Sequence, residues 1–341
     1  MHRIKMPVIF IFLICISVLC GCVAKDTAPY TTQIFALDTV IDITAYGDSA
    51  KDAVSEATRE IYRLEKLFSV TMEESDIYRL NHASADEVVL SGETYALLQR
   101  AKDISVLTNS KFDITIYPVL RLWGFTEKDY KIPSSSQLTE ALKIVNTDNI
   151  ILLENNTARL LNNAQVDLGG IAKGYIADKA AKTMKSAGCE SGIISLGGNV
   201  RTIGTKSSGE KWSIGIKSPD STDFFATLST EECSIITSGA YQRNFTKDGV
   251  TYHHIIDPKT GKPSDSDAVS VTIIGKDGTL CDALSTAIFI GGSDYAQSLC
   301  NATSDFEYII LTKDNKIYLS KSLRDSFTLT ENYSHLELIY K

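Results

Sequence analysis

The chain has 341 residues, 43% of them hydrophobic, and a formal net charge of -8. That length holds one large domain or two modest ones, with apolar residues enough for a sizeable core. The acidic balance, with no basic stripe and no arginine-rich arm, excludes nucleic acid as a main partner, because phosphate backbones require clustered Lys and Arg.

The N-terminus stands apart. His2, Arg3 and Lys5 form a cationic start, and Pro7 to Leu19 is an uncharged apolar run. The run is shorter than the roughly 20 residues of a membrane span, so a signal peptide is the better reading. It ends in Leu19-Cys20-Gly21-Cys22, which resembles the bacterial lipobox: Gly21 is small at the cleavage point, and Cys22 becomes the lipidated first residue. An uncleaved N-terminal anchor is the alternative. Either way the globular part is expected outside the cytoplasmic membrane, lipid-anchored on its extracytoplasmic face in the first case. The expected division is a signal peptide over 1–21, a polar tether over 22–32 and a globular domain over 33–341. Cys189, Cys233, Cys281 and Cys300 remain, and no C-x-x-C spacing occurs among them, which gives zinc or dithiol chemistry little support. Pairing in an exported protein and buried free thiols both stay open.

Gln33 to Tyr46, rich in β-branched and aromatic residues, predicts a strand stopped at Gly47-Asp48. Ala53, Ala57, Ile61, Leu64 and Phe68 recur at helical spacing, so Ser49 to Phe68 reads as a helix with Ser49 as N-cap. Ser75 to Asn81 predicts a short helical turn. Gly92 to Leu107 predicts a helix with Tyr95, Leu98, Ala101 and Val106 toward the core. After the loop Pro133 to Ser136, Ser136 caps a helix through Ile144. Asn155-Asn156 between Ile150 to Leu153 and Ala158 to Leu161 is a hairpin signal. Ala172 to Ala187 is helical, stopped by Gly188. Strands follow at Ile193 to Leu196, Val200 to Thr205, Trp212 to Ile216, Phe224 to Leu228, Ser234 to Thr237 and Val269 to Ile274. Asp282 to Ile290 is helical, and Glu307 to Leu311 and Lys316 to Leu319 are strand-like. Strand runs between helices, with hairpin-length connections, indicate an α+β fold of mainly antiparallel sheets flanked by helices.

Three segments carry chemistry. Asp167-Leu168-Gly169-Gly170-Ile171-Ala172-Lys173-Gly174 places consecutive glycines before a helix N-terminus, where backbone amides and Lys173 favour an anionic ligand. It is neither a Walker A loop nor G-x-G-x-x-G, and glycines that only shape a turn are an equal alternative. Asp282 and Thr286, four apart on a helix, project from one face as a hard oxygen pair suited to Mg²⁺; a capping Asp with a Thr hydroxyl bonded back into the helix is the bland alternative. In His253-His254-Ile255-Ile256-Asp257-Pro258-Lys259-Thr260-Gly261, strand alternation turns the two rings to opposite faces. Only one of them can then serve a site as proton acceptor. Asp257-Pro258 opens a type I turn, so Asp257 also has a turn-holding role.

Together these residues resemble the ApbE family of FAD:protein FMN transferases. The motifs run in the family's order across nearly the whole mature chain: Phe35-Ala36-Leu37-Asp38-Thr39, Ser75-Asp76-Ile77-Tyr78-Arg79-Leu80-Asn81, Phe112-Asp113-Ile114-Thr115, Leu122-Trp123-Gly124-Phe125, Asp167, Leu196-Gly197-Gly198-Asn199, His254-x-Ile256-Asp257-Pro258-x-Thr260-Gly261 and Asp282. The family often has Met-Gly-Thr at Leu37-Asp38-Thr39, and Ala at Lys111 and Gly170. The resemblance implies an FAD site in a cleft between two subdomains, with the pyrophosphate over Mg²⁺. It implies Asp282, Thr286 and the Gly170 carbonyl as metal ligands. Leu37, Lys111, Phe112, Asp113, Asp167, Lys173 and Ile256 are the FAD contacts.

The implied reaction is attack by a Thr or Ser hydroxyl of a partner flavoprotein, such as a membrane redox-complex subunit, on the FMN-side phosphorus of FAD. AMP leaves and FMN stays as a phosphoester. His254 is the expected proton acceptor, with Asp257 orienting its loop. An FAD pyrophosphatase that releases free FMN and AMP is one alternative. A non-catalytic flavin-binding lipoprotein is another, and the Asp282/Thr286 pair speaks against it.

Overall fold

The computed structural model describes residues 28–341. The signal segment and Cys22 lie outside the described residues. In chain order the elements are β1 (Tyr30–Ala36), β2 (Thr39–Tyr46), α1 (Ala50–Phe68), α2 (Asp76–His82), β3 (Val88–Val89), α3 (Gly92–Leu107), α4 (Tyr117–Trp123), α5 (Ser135–Leu142), β4 (Ile150–Leu153) and β5 (Thr157–Leu160). Then come α6 (Ala172–Ser186), β6 (Ser191–Leu196), β7 (Asn199–Ile203), β8 (Trp212–Lys217), β9 (Phe224–Thr230), β10 (Ser234–Gly239), β11 (Asn244–Lys247), β12 (Val250–His253) and β13 (Ala268–Gly275). The chain closes with α7 (Gly278–Gly291), α8 (Ser293–Thr303), β14 (Phe306–Thr312), β15 (Lys316–Leu319), β16 (Phe327–Leu329) and β17 (Glu337–Tyr340).

A nine-stranded sheet in the order β1-β2-β6-β7-β10-β13-β14-β15-β17 organises the molecule. Every pairing in it is antiparallel except β15 with β17. The α+β expectation therefore holds. Successive side chains of a strand face opposite sides, and the core divides accordingly. Ile236, Ile273 and Ile310 pack with α1, α6 and α7 on one face. Their neighbours Ile235, Ile274 and Ile309 pack on the other, against the three-stranded sheet β16-β9-β8. A smaller apolar cluster of Val119, Trp123, Phe125, Leu138 and Ile256 joins α4 and α5 to the β11–β12 hairpin.

The single strand expected over Gln33 to Tyr46 is instead a hairpin. Leu37 and Asp38 both adopt positive φ (55° and 57°), the conformation of a type I′ turn. Leu37 does not advertise it, since a bulky side chain at positive φ is unfavourable, although Asp38 belongs to the residue types that tolerate it. Tertiary contacts hold the turn: the Leu37 amide donates to Glu65 Oε1 at 2.6 Å, and Asp38 pairs with Lys128 and Arg243. Residues 30–32, expected as tether, are already paired in β1. Two local expectations also change. Ser134, not Ser136, caps α5 through a reciprocal capping box with Gln137. Val106 is 80% exposed, while Leu97, Leu98 and Ala101 fill the core face of α3. All four described cysteines are free, and three of them are buried.

Candidate active site

The site forms where α6 crosses α7. Ile171, the N-cap of α6, offers no side-chain acceptor to the first turn. The Ala172 amide donates to the Leu168 carbonyl at 2.8 Å and the Gly174 amide to Asp282, so Lys173 is what this turn offers an anion. Upstream, the Asn81 side chain donates to the Val166 carbonyl at 2.8 Å and accepts from the Val166 amide at 2.7 Å. The Asp167 amide donates to the Ile114 carbonyl at 2.9 Å. Asp167 is thus fixed at the start of the glycine loop, and its Oδ1 accepts from the Gly169 amide at 2.8 Å.

On α7 the cap is Asp277, whose side chain accepts from the Leu280 amide. Asp282 is therefore released from capping. It lies inside the helix, 4% exposed, and both oxygens take neutral donors: the Gly174 amide at 2.9 Å and Asn199 Nδ2 at 3.0 Å. Thr286 follows one turn later. A Cβ at Gly170 would sit 3.8 Å from Thr286 Oγ1 and 3.2 Å from the Phe112 ring, so the glycine loop lies against this face of α7. One carboxylate, one hydroxyl and a nearby carbonyl make a hard, singly charged oxygen set. That set fits Mg²⁺, which keeps other positions for phosphate and water. Donors to the outer lone pairs of a ligating carboxylate fix its orientation, and Gly174 and Asn199 supply them. Among the described residues, no group of three or more His, Cys, Asp or Glu side chains is arranged to hold a metal, so any ion here relies on that mixed oxygen set.

The two histidines diverge as expected. His253 Nε2 pairs with the Ser264 carbonyl at 3.1 Å and its ring meets Phe289 edge-on. His254 Nδ1 pairs with the Arg243 carbonyl at 3.1 Å, and its ring faces Phe125. A carbonyl accepts only, so Nδ1 carries the proton and Nε2 is the basic nitrogen of the neutral ring. Burial, with the Arg243 and Lys173 charges, lowers His254 to about 3. Asp167 feels the same two cations, while burial raises its carboxyl above the usual range. Lys173 and Arg243 therefore stand among His254 and Asp167, and Lys173 immediately precedes the amide that binds Asp282.

Other expected residues are placed differently. Asp257 accepts from the Lys259 amide at 2.9 Å, and its carbonyl accepts from the Gly261 amide at 2.8 Å. It holds the turn and makes no hydrogen bond to the imidazole. Ile256 is buried in the small cluster, and Trp123 Nε1 donates to the Gly261 carbonyl at 2.8 Å, tying α4 to the same turn. Asp113 is buried, with Oδ1 taken by the Thr115 amide and hydroxyl. Phe112 backs Gly170, and Lys111 Nζ lies over the Tyr295 ring. Leu37 occupies the β1–β2 turn, and a Cβ at Gly197 would lie 2.2 Å from Thr39 Oγ1, so that turn abuts Leu196-Gly197-Gly198-Asn199. Sequence reasoning missed Asn199 as a partner of Asp282, and it missed Arg243. Asn199 could have been found as a polar residue due to be buried beside a sheet turn; Arg243 carries no local signal.

The sequence profile of the ApbE family matches residues 37–310, which takes in the site and most of the main sheet. The chain belongs to the ApbE family. The FAD:protein FMN transferase of Klebsiella pneumoniae (strain 342) is 33% identical over 273 residues, 79% of this chain and 84% of that one. The crystal structure of the ApbE protein of Thermotoga maritima superposes with a TM-score of 0.80 at 32% identity, covering 91% of this chain and 99% of its own. The flavin transferase ApbE from Vibrio cholerae gives 0.79 at 27% identity, covering 88% and 99%.

Proposed function

We propose that this ApbE-family chain is a Mg²⁺-dependent FAD:protein FMN transferase acting on a flavoprotein outside the cytoplasmic membrane. The observation that carries the reading is the junction at Lys173 and Gly174. On one side stand the oxygen groups Asp282, Thr286 and Gly170, and on the other the neutral His254 with Asp167. Hard oxygen ligands next to Lys173 and Arg243 suit a pyrophosphate, and the unprotonated imidazole nitrogen of His254 can accept a proton from a hydroxyl nucleophile.

Lys173, through its ammonium and its backbone amide, and Arg243 would bind the pyrophosphate and orient the FMN-side phosphorus toward the acceptor. The Thr or Ser oxygen forms the new P–O bond, the P–O–P bond breaks, and AMP leaves with the bonding pair. His254 Nε2 takes the hydroxyl proton. Mg²⁺, when bound at Asp282, Thr286 and the Gly170 carbonyl, neutralises charge on the phosphate oxygens and on the departing AMP. Asp257 acts through its turn, which sets the chain leaving His254.

The order of cationic start, apolar run and Leu19-Cys20-Gly21-Cys22 supports a lipid anchor at Cys22. Anchoring would hold the enzyme beside membrane-bound acceptors such as a redox-complex subunit. The test of the metal assignment is Asp282→Ala: Mg²⁺-dependent FMN transfer should disappear, and an unchanged rate would sink it.

A further inference from the structure

Helices α6 and α7 carry the same short pattern, Gly174 followed four residues later by Asp178, and Gly278 followed four residues later by Asp282. The two patterns interlock. The Gly174 amide donates to Asp282 Oδ2 at 2.9 Å, and the Gly278 amide donates to Asp178 Oδ2 at 2.7 Å. Each helix thus reaches the other's glycine with its own aspartate. The glycines permit the approach: a Cβ at Gly174 would lie 2.0 Å from the Gly278 carbonyl oxygen, and a Cβ at Gly278 would lie 2.8 Å from Asp178 Oδ1.

The two halves differ in their surroundings. Asp282 faces the site. Asp178 instead meets Arg201 Nε at 3.3 Å and accepts from Ser234 Oγ at 3.4 Å. Resting on the reading of Asp282 as a metal ligand, we propose that Asp178 is a positioning residue for the metal site, clamping the start of α7 onto α6 so that the Asp282 and Thr286 oxygens are held opposite Gly170. The clamp acts one helical turn from Asp282, and α7 is buried along nearly its whole length, so a displacement at Gly278 is carried to the ligands. Burial raises Asp178 to about 6 despite the neighbouring Arg201. The fold therefore keeps a carboxylate in surroundings that disfavour its charge, which is common where an acid holds a functional geometry.

The test uses the wild-type protein, Asp178→Ala and Asp178→Asn, with three readings: Mn²⁺ binding by EPR in the presence of FAD, the Mg²⁺ concentration giving half-maximal FMN transfer, and thermal unfolding. Groups behind a ligand typically affect metal affinity by about 10- to 100-fold. Asp178→Ala should weaken Mn²⁺ binding and raise the half-maximal Mg²⁺ concentration by about 10-fold, with the rate largely recovered at saturating Mg²⁺. Asp178→Asn, whose amide oxygen still accepts from Gly278, should stay near wild type on both metal readings. If Asp178→Ala lowers only the unfolding temperature and leaves both metal readings unchanged, the proposal is overturned. Should Asp178→Ala not fold, Asp178→Glu decides in the same way: it keeps a charge opposite Arg201 but shifts the carboxylate from the Gly278 amide. A wild type that neither binds Mn²⁺ nor responds to Mg²⁺ removes the metal reading itself and the proposal with it. That failure is seen in the wild type rather than in the variants.

Discussion

The amide of Gly174 donates to the carboxylate of Asp282 across the α6–α7 crossing, 2.9 Å apart. One contact thereby joins the first turn of α6, beside Lys173, to the candidate metal ligand. A side chain at Gly174 would lie 2.0 Å from the Gly278 carbonyl oxygen and 2.8 Å from Asp282 Cβ. Backbone cannot yield as a flexible side chain does, so the helices must part. Gly174→Ala should cost about 1–3 kcal/mol in denaturant unfolding, with a loss of FMN transfer larger than the stability loss explains.

Asn199 is 2% exposed and its amide donates to Asp282 Oδ1. Asn199→Ala removes one of the two donors that orient the carboxylate. The Mg²⁺ concentration for half-maximal transfer should rise by about 10-fold or more. Asn199→Asp should be worse than Asn199→Ala, because it replaces the amide donor with a second carboxylate that repels Asp282.

His254 gives a pH signature with a defined sign. Its folded value, about 3, lies below the ordinary 6.5 because of burial and the Arg243 and Lys173 charges, with His253 adding to the effect. The unfolded chain therefore takes up a proton at His254 where the folded chain does not. The contribution is fully present above pH 6.5 and is lost as pH falls from 6.5 toward 3, at a slope of up to about 1.4 kcal/mol per pH unit. Denaturant unfolding of His254→Gln should show a shallower decline between pH 6.5 and 4.5 than wild type. A value of about 3 makes His254 a weak base at neutral pH, so transfer by His254→Gln should fall toward the lower end of the roughly 10²–10⁴ range of a general base while FAD binding persists.

Trp123 anchors the turn that follows His254 through its indole donor to the Gly261 carbonyl. Trp123→Phe keeps the aromatic packing with Tyr252 and Phe245 and loses the donor. Thermal unfolding should register about 1 kcal/mol of destabilisation, with a smaller effect on Mg²⁺ dependence than either Asn199 variant.

Elements with strong periodicity or turn chemistry were legible in the chain. Gly92 to Leu107 shows both ends of α3, and Asn155-Asn156, both at positive φ, marks the β4–β5 hairpin. The Leu37-Asp38 turn was not legible, because Leu37 disfavours positive φ and the turn is held by Glu65, Lys128 and Arg243 from distant segments. The β11–β12 hairpin carried a readable Asp248-Gly249 signal inside a segment otherwise dominated by the histidines. Within the site, spacing left Asp282, Thr286 and His254 with structural alternatives, and the ordered family motifs favoured the functional ones. Spacing could not supply the partners Asn199, Asp178 and Arg243, because these depend on how α6, α7 and the sheet edges meet.

In the proposed reaction the flavin ends on a protein hydroxyl. The direct measurement follows AMP release and protein-bound flavin together, in reactions of the purified chain with FAD and an acceptor flavoprotein, with and without Mg²⁺. One AMP should appear per flavin bound to the acceptor, and only with Mg²⁺. AMP appearing with free FMN and an unlabelled acceptor would make the chain an FAD hydrolase, and tight FAD binding without AMP would make it a carrier; either result contradicts the account.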